Sequence, residues 1–171
     1  MGKHWILGAA MALVLTVPLA HAQKSISDRA ENDEIAIMAS EDPAMQKALA
    51  KAQTTLPDFL RQASNPKAGT SSYALKVGLS DGRNTEYFWV GDFQRKGDDF
   101  SATITNMPRI VQKYRQGEQI NFKRAQVVDW MYIDQGNRKM VGNFTACALL
   151  TKESTSDAVA FKKQYGLSCD D

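Results

Sequence analysis

The sequence predicts a single α+β domain: an antiparallel sheet of about five or six strands with an N-terminal helix and a C-terminal helix. Three observations support this. Short runs of alternating apolar residues begin at Tyr73 and recur as far as Val141. Helix-start chemistry flanks them at Asp42-Pro43 and Ser156-Asp157. No internal repeat or low-complexity linker divides the 171 residues. At 43% hydrophobic residues the chain can build a conventional core, and neither disorder nor a coiled coil fits its composition.

The first segment reads as a secretory signal. Lys3 supplies a basic start, Trp5 to Leu19 an apolar run, and Ala20-His21-Ala22 an A-x-A cleavage site. The run contains Pro18 and falls short of the about 20 residues that a spanning helix needs. Cleavage is expected after Ala22, leaving Gln23 first. No cysteine follows that point, so a lipid anchor is not expected either. The expectation is a periplasmic or secreted protein with no membrane insertion after cleavage. The chain divides into a signal at 1–22, a leader at 23–41 and a folded domain at 42–171.

Within the leader, Ile35, Ile37 and Met38 alternate like a short strand. Asp42 can cap a helix whose first turn tolerates Pro43. That helix is expected to run to about Thr54, with Leu56-Pro57 interrupting it before a second helical stretch to Ala63. Asn65 to Gly69 is a loop. Tyr73, Leu75, Val77 and Leu79 then form one face of a strand, and Asp81-Gly82 turns it into a second strand, Thr85 to Phe93. Lys96-Gly97-Asp98 leads to a third strand at Phe100, Ala102 and Ile104. A short helix with Ile110, Val111 and Tyr114 on one face is expected next, ended by Gly117. Ile120 and Phe122 mark a fourth strand, Val127 to Ile133 a fifth, and Met140-Val141 a brief sixth. The stretch from Phe144 to Leu150 suits either a helical turn or an edge strand. Ser156-Asp157 should cap a last helix, stopped by Gly166.

Both histidines, His4 and His21, lie in the signal segment. Residues 23–171 therefore cannot supply a Ser-His-Asp or Cys-His nucleophile system, an H-E-x-x-H zinc site or a histidine-ligated redox metal. Removal of Lys3 takes the formal charge of +2 one unit lower, which gives no electrostatic case for nucleic acid as a partner. Asp92, Asp98 and Asp99 bracket one turn but lack calcium-loop spacing, and no phosphate-loop glycine pattern surrounds Gly91 or Gly97. No cofactor and no metal is expected. A carboxylate pair for sugar hydrolysis remains open, with Glu86, Glu118 and Asp129 as candidates, although no local motif selects two of them.

Cys147 and Cys169 are the only cysteines. In an oxidising compartment they are expected to form one structural disulfide, worth about 3 kcal/mol in the chain-entropy account. The alternative, a redox couple, ordinarily uses a close C-x-x-C pair.

Two features suggest contact with a partner. Arg109, Lys113, Arg115, Lys123 and Arg124 cluster around Tyr114 and Phe122, as a solvated face or a docking patch for an acidic protein or wall polymer. The richer feature is Tyr87-Phe88-Trp89 with Asp129-Trp130-Met131-Tyr132. In the second run Asp129 and Met131 share one face of a strand, while Trp130 shares the other with Val128 and Tyr132. One reading is a tryptophan core with Asp129 hydrogen-bonded to a neighbouring loop. The other is a ligand groove, for which Trp89, Arg109, Asp129, Trp130 and Tyr132 are the candidate binding residues.

From Ala48 to Leu150 the chain resembles the YegJ-like family of uncharacterised bacterial proteins. Leu56-Pro57-Asp58-Phe59, Glu86-Tyr87-Phe88-Trp89-Val90, Gly117-Glu118, Val128-Asp129-Trp130-Met131-Tyr132 and Gly142-Asn143-Phe144-Thr145 carry the resemblance. It implies a bacterial, periplasmic location and a compact domain of unknown function, and it transfers no activity. Cys169 lies beyond the matched part, in a C-terminal extension. The function expected is a non-catalytic binding or interaction module for an unknown protein or cell-envelope component, of which an immunity or inhibitor protein is one case. The alternatives are a small envelope hydrolase using a carboxylate pair, and a structural subunit of an envelope assembly.

Overall fold

A computed structural model describes residues 41–169; the signal segment and the strand expected at Ile35 to Met38 lie outside them. Asp42 opens helix α1, Pro43–Ser64, by accepting the Ala44 N–H at 2.9 Å. Contrary to expectation, α1 passes through Pro57 without a break. An interior proline costs about 3 kcal/mol. Leu56, Phe59 and Leu60, each at most 5% exposed, lie immediately around it. Burying such side chains stabilises by about 1.5–3 kcal/mol apiece, so keeping all three on the sheet outweighs the lost hydrogen bond.

Six strands follow: β1 Thr70–Ser80, β2 Thr85–Lys96, β3 Asp99–Ile104, β4 Gln119–Lys123, β5 Val127–Asp134 and β6 Lys139–Gly142. All neighbouring pairs are antiparallel, in the order β4-β3-β2-β1-β5-β6. The order forces curvature. In a flat sheet four strand spacings of about 4.8 Å would part β4 from β5 by ~19 Å. The link from Lys123 to Val127, a single 3₁₀ turn at Arg124–Gln126, reaches only about 14 Å. Register shifts at Gly91/Gln94 in β2 and Lys76/Val77 in β1 supply the bends.

One face of this sheet packs with α1. Leu75, Val77, Phe88, Val90, Phe100, Phe122, Val127 and Trp130 join Ala52, Leu56, Phe59 and Leu60 in the main core. The other face carries Ser101 and Thr103 of β3, half-buried, and Gln119, Asn121 and Lys123 of β4, exposed.

Residues 106–118 do not form the expected helix around Ile110, Val111 and Tyr114. The Glu86 carboxylate takes the successive N–H groups of Arg109, Ile110 and Val111 at 2.8–2.9 Å, holding the segment as turns. Val111 is fully buried and Tyr114 meets Phe88 edge-on, but Ile110 is 40% exposed.

The undecided stretch after Gly142 is helix α2, Phe144–Leu150, and α3 spans Thr155–Tyr165. Ser154, rather than Ser156, caps α3 by accepting the Asp157 N–H, and Gly166 ends it at φ 63°. Both helices join the start of α1 in a second core of Met45, Ala48, Ala146, Leu149, Leu150, Phe161 and Leu167. The tail returns to β6, where the Met140 N–H donates to the Gly166 carbonyl.

Cys147 and Cys169 are disulfide-bonded, with their Cα atoms 5.5 Å apart, which fastens this tail to α2. Cys169→Ser is expected to lower the unfolding free energy by about 3 kcal/mol in urea titrations. Reductant should lower the wild type equally and leave the variant unchanged. A wild-type midpoint indifferent to reductant would show that side-chain packing alone holds the tail.

Candidate functional site

The two runs singled out by sequence lie on β2 and β5, which flank β1 at the centre of the sheet. In register, Trp89 of β2 stands opposite Lys76 of β1, and Lys76 stands opposite Asp129 of β5. This three-strand row lies on the face away from α1. Thr145, in the first turn of α2, completes it.

Asp129 is fully buried. Its Oδ2 accepts the Thr145 N–H at 2.8 Å and the Thr145 hydroxyl at 2.7 Å, while Oδ1 accepts the Trp130 N–H at 2.8 Å. Asn143, the residue before α2, is left-handed at φ 55° and gives no side-chain cap. The carboxylate on the neighbouring strand therefore satisfies one of the N–H groups that the helix start leaves open.

Lys76 donates to the same Thr145 hydroxyl at 3.0 Å, and its ammonium lies 5.3 Å from the centre of the Trp89 ring. A chain of hydrogen bonds thus runs from Lys76 through Thr145 to Asp129. Burial pushes the Lys76 amine below its ordinary 10.5, against the Asp129 charge, which pulls it up. The residue as a whole is only half-buried, so the desolvation falls on the amine end of the side chain. Burial likewise raises the Asp129 carboxyl above 3.8, opposed by Lys76 and by the bonds from Thr145 and Trp130.

The remaining candidate residues lie elsewhere. Trp130 and Tyr132 are on the opposite face of β5. Trp130 is 6% exposed, donates its indole N–H to the Ala52 carbonyl and the Thr55 hydroxyl at 3.2 Å each, and stacks on Phe59 at 4.8 Å. Tyr132 stacks on Tyr73 at 5.2 Å. Val127, not Val128, shares their face, because the register shifts by one beside Lys76. Arg109 is exposed on the segment anchored by Glu86 and is not part of the row.

The other charged candidates have local partners. Glu118 accepts the Arg115 N–H at 2.9 Å, Asp99 pairs with Lys123 across β3 and β4, and Lys113 lies over the Tyr114 ring. Among the described residues no three His, Cys, Asp or Glu side chains gather as a metal site.

Sequence reasoning missed Lys76 and Thr145. Lys76 looked like any outward residue of an alternating strand. Its only signal was indirect: an acid within the apolar run of β5 needs donors and a counter-charge, and a half-buried lysine two strands into the sheet can supply the latter.

Of the stretches that carry the resemblance, those around Asp129-Trp130 and Gly142-Asn143-Phe144 form one unit. The Asn143 N–H donates to the Trp130 carbonyl at 2.8 Å, and Phe144 meets the Trp130 ring edge-on at 5.3 Å. A Cβ at Gly142, where φ is 87°, would fall 2.3 Å from the Trp130 carbonyl oxygen, so only glycine fits.

Asp129→Ala leaves three donors without an acceptor and Lys76 without its counter-charge, so a loss of about 3–5 kcal/mol is expected in urea unfolding. A folded variant within 1 kcal/mol of wild type, on the same order-of-magnitude scale, would remove Asp129 from the frame. The pH dependence has a defined sign. Because the native Lys76 amine binds a proton less readily than the unfolded one, its contribution to stability rises as pH climbs through the native value toward 10.5. Asp129, raised in the native state, contributes less as pH rises from 3.8 through its native value. Lys76→Met should remove the alkaline rise, measured as unfolding free energy against pH; a rise that persists in the variant would contradict the assignment.

Residues 42–169 match the model of a family described as "Uncharacterized protein conserved in bacteria (DUF2314)". The chain is also 30% identical over 115 residues to "Uncharacterized protein YegJ" of Escherichia coli (strain K12), a match covering 67% of this chain and 72% of that protein. No solved structure matches. The chain, from its α1 cap at Asp42 to the disulfide at Cys169, belongs to this family of uncharacterised proteins conserved in bacteria.

Proposed function

We propose that this protein is an exported, non-catalytic binding module of the bacterial envelope, whose partner is a protein or an envelope component. The observation that carries this reading is the state of the aromatic pair on β2. Trp89 is half-buried and Tyr87 is 44% exposed, side by side on the sheet face away from α1. Large amphipathic rings left accessible on a rigid strand suit recognition, since they bring contact area at small entropic cost.

The chemistry of the carboxylates supports contact over hydrolysis. A glycosidase needs one acid free to protonate a leaving group and a second facing it. Glu86 and Glu118 are engaged with backbone N–H groups, and Asp129 is enclosed by Thr145 and Trp130. Export rests on the signal-like residues 1–22, and a cysteine pair joined as a disulfide is in keeping with an oxidising compartment.

Affinity capture from periplasmic extract should retain a stoichiometric partner on the wild type and lose at least about tenfold in affinity with Tyr87→Ala, a surface change that leaves the core intact. The captured mature chain should begin at Gln23. Cell-wall cleavage on a zymogram that disappears with Glu86→Gln or Glu118→Gln would instead establish the hydrolase.

A further inference from the structure

We propose that the disulfide between Cys147 and Cys169 is a redox latch: once it is reduced, helix α3 and the tail, residues 155–169, open as one unit while the sheet stays folded. This segment is attached at few points. Phe161 is the one buried residue of α3, where Val159 is exposed, and Leu167 is buried in the tail. Among the described residues the segment meets the sheet at a single bridge, Leu167 beside Met140, where the Met140 N–H donates to the Gly166 carbonyl at 3.0 Å. Opening β1 or β5 would instead break pairings with a strand on either side and empty the main core. Regions so differently anchored open at different free energies.

The two ends of the segment are held differently. The N–H groups of Thr151, Lys152 and Glu153 donate to the carbonyls of Ala148, Leu149 and Leu150, which keeps those residues with α2 and puts the hinge at Ser154. At the far end the disulfide ties Cys169 to Cys147 of α2 and closes the segment into a loop. α3 has 11 residues, and a helix of that length is marginal in water unless it packs on the rest of the fold. With the loop closed, an opened segment gains little freedom; with the disulfide cut, it becomes a free chain end.

The reaction is thiol–disulfide exchange with a dithiol. A thiolate of the dithiol attacks one sulfur of the pair, the S–S bond breaks, and the other sulfur leaves with the bonding electrons. The second thiol resolves the mixed disulfide in the same way. Cys147 and Cys169 end as thiols carrying the two protons that the dithiol gives up, and the dithiol ends as a disulfide. Both cysteines are half-buried and not enclosed, which leaves the bond within reach of a reductant. Opening takes Phe161 and Leu167 out of the second core, away from Met45, Ala146 and Leu149, and frees the Met140 N–H on the outer edge of β6. The oxidised chain thus withholds an apolar helix surface and a sheet edge that the reduced chain presents. The latch stands independently of the binding role proposed above.

The test is amide hydrogen exchange of the full chain, oxidised and in dithiothreitol, read residue by residue by NMR. Reduction should speed exchange at residues 158–167 and at Met140 by about 100-fold. In the reduced chain those amides should also exchange at least about 100-fold faster than the amides of β1 and β5, at rates that low urea barely changes, as local opening requires. The doubly substituted chain, Cys147→Ser with Cys169→Ser, should show the reduced pattern without reductant. The surviving protection of β1 and β5 reports that each sample is folded. Two results would overturn the latch: exchange of α3 and Met140 in the reduced chain at the rates and urea dependence of the sheet, which makes the chain one cooperative unit, or loss of sheet protection along with theirs.

Discussion

The hydrogen bonds that the Asp129 carboxylate accepts from Thr145 decide where the C-terminal helices begin. An ionised side chain withdrawn from water costs several kcal/mol unless donors surround it, and here the donors come from Trp130 beside it and from the first turn of α2. That requirement ends β6 at Gly142 and starts α2 at Phe144, because only a helix beginning there presents both the N–H and the hydroxyl of Thr145. Once α2 is placed, Leu149 and Leu150 meet Met45 and Ala48 of α1, and Cys147 meets the returning tail. The second core therefore depends on a polar contact made at its border.

The neighbouring residue does the corresponding work on the other face. Trp130 is tied to α1 through the Ala52 carbonyl and the Thr55 hydroxyl and stacks on Phe59. Successive residues of β5 thus hold α2 and α1 separately, one by charge and one by ring packing. A slip of one residue in the register would turn the carboxylate toward Phe59 and the indole toward Thr145, so the pairing of β5 with β1 has no acceptable neighbour state. The bulge beside Lys76 is compatible with this, since it allows the strand to bend without exchanging the faces of Asp129 and Trp130.

The sheet was legible wherever period-two alternation met turn chemistry, as in Tyr73 to Leu79, Asp81-Gly82 and Phe100 to Ile104. Two errors came from letting local rules stand against long-range contacts. Pro57 breaks a helix by local rules, yet the sheet holds Leu56, Phe59 and Leu60 on either side of it. Residues 110–114 have helical spacing, yet the distant Glu86 takes the N–H groups that a first helical turn leaves open. The site was half legible for the same reason. Alternation placed Asp129 apart from Trp130, but linking Asp129 to Lys76 and Thr145 requires a strand register and a helix start, neither of which is written in adjacent residues.

The distribution of hydrogen bonds on the buried charges and rings marks the framework of the fold. Asp129 accepts three hydrogen bonds, Trp130 has its indole N–H engaged by two oxygens, and Glu86 closes a backbone turn. Groups so occupied cannot exchange partners without loosening the fold, which makes them supports. Lys76 belongs to the same framework, since it donates to the Thr145 hydroxyl, lies over the Trp89 ring and balances the Asp129 charge. The bonds that make Asp129 structural therefore also fix the strands on which half-buried Trp89 and exposed Tyr87 stand, on the face away from α1.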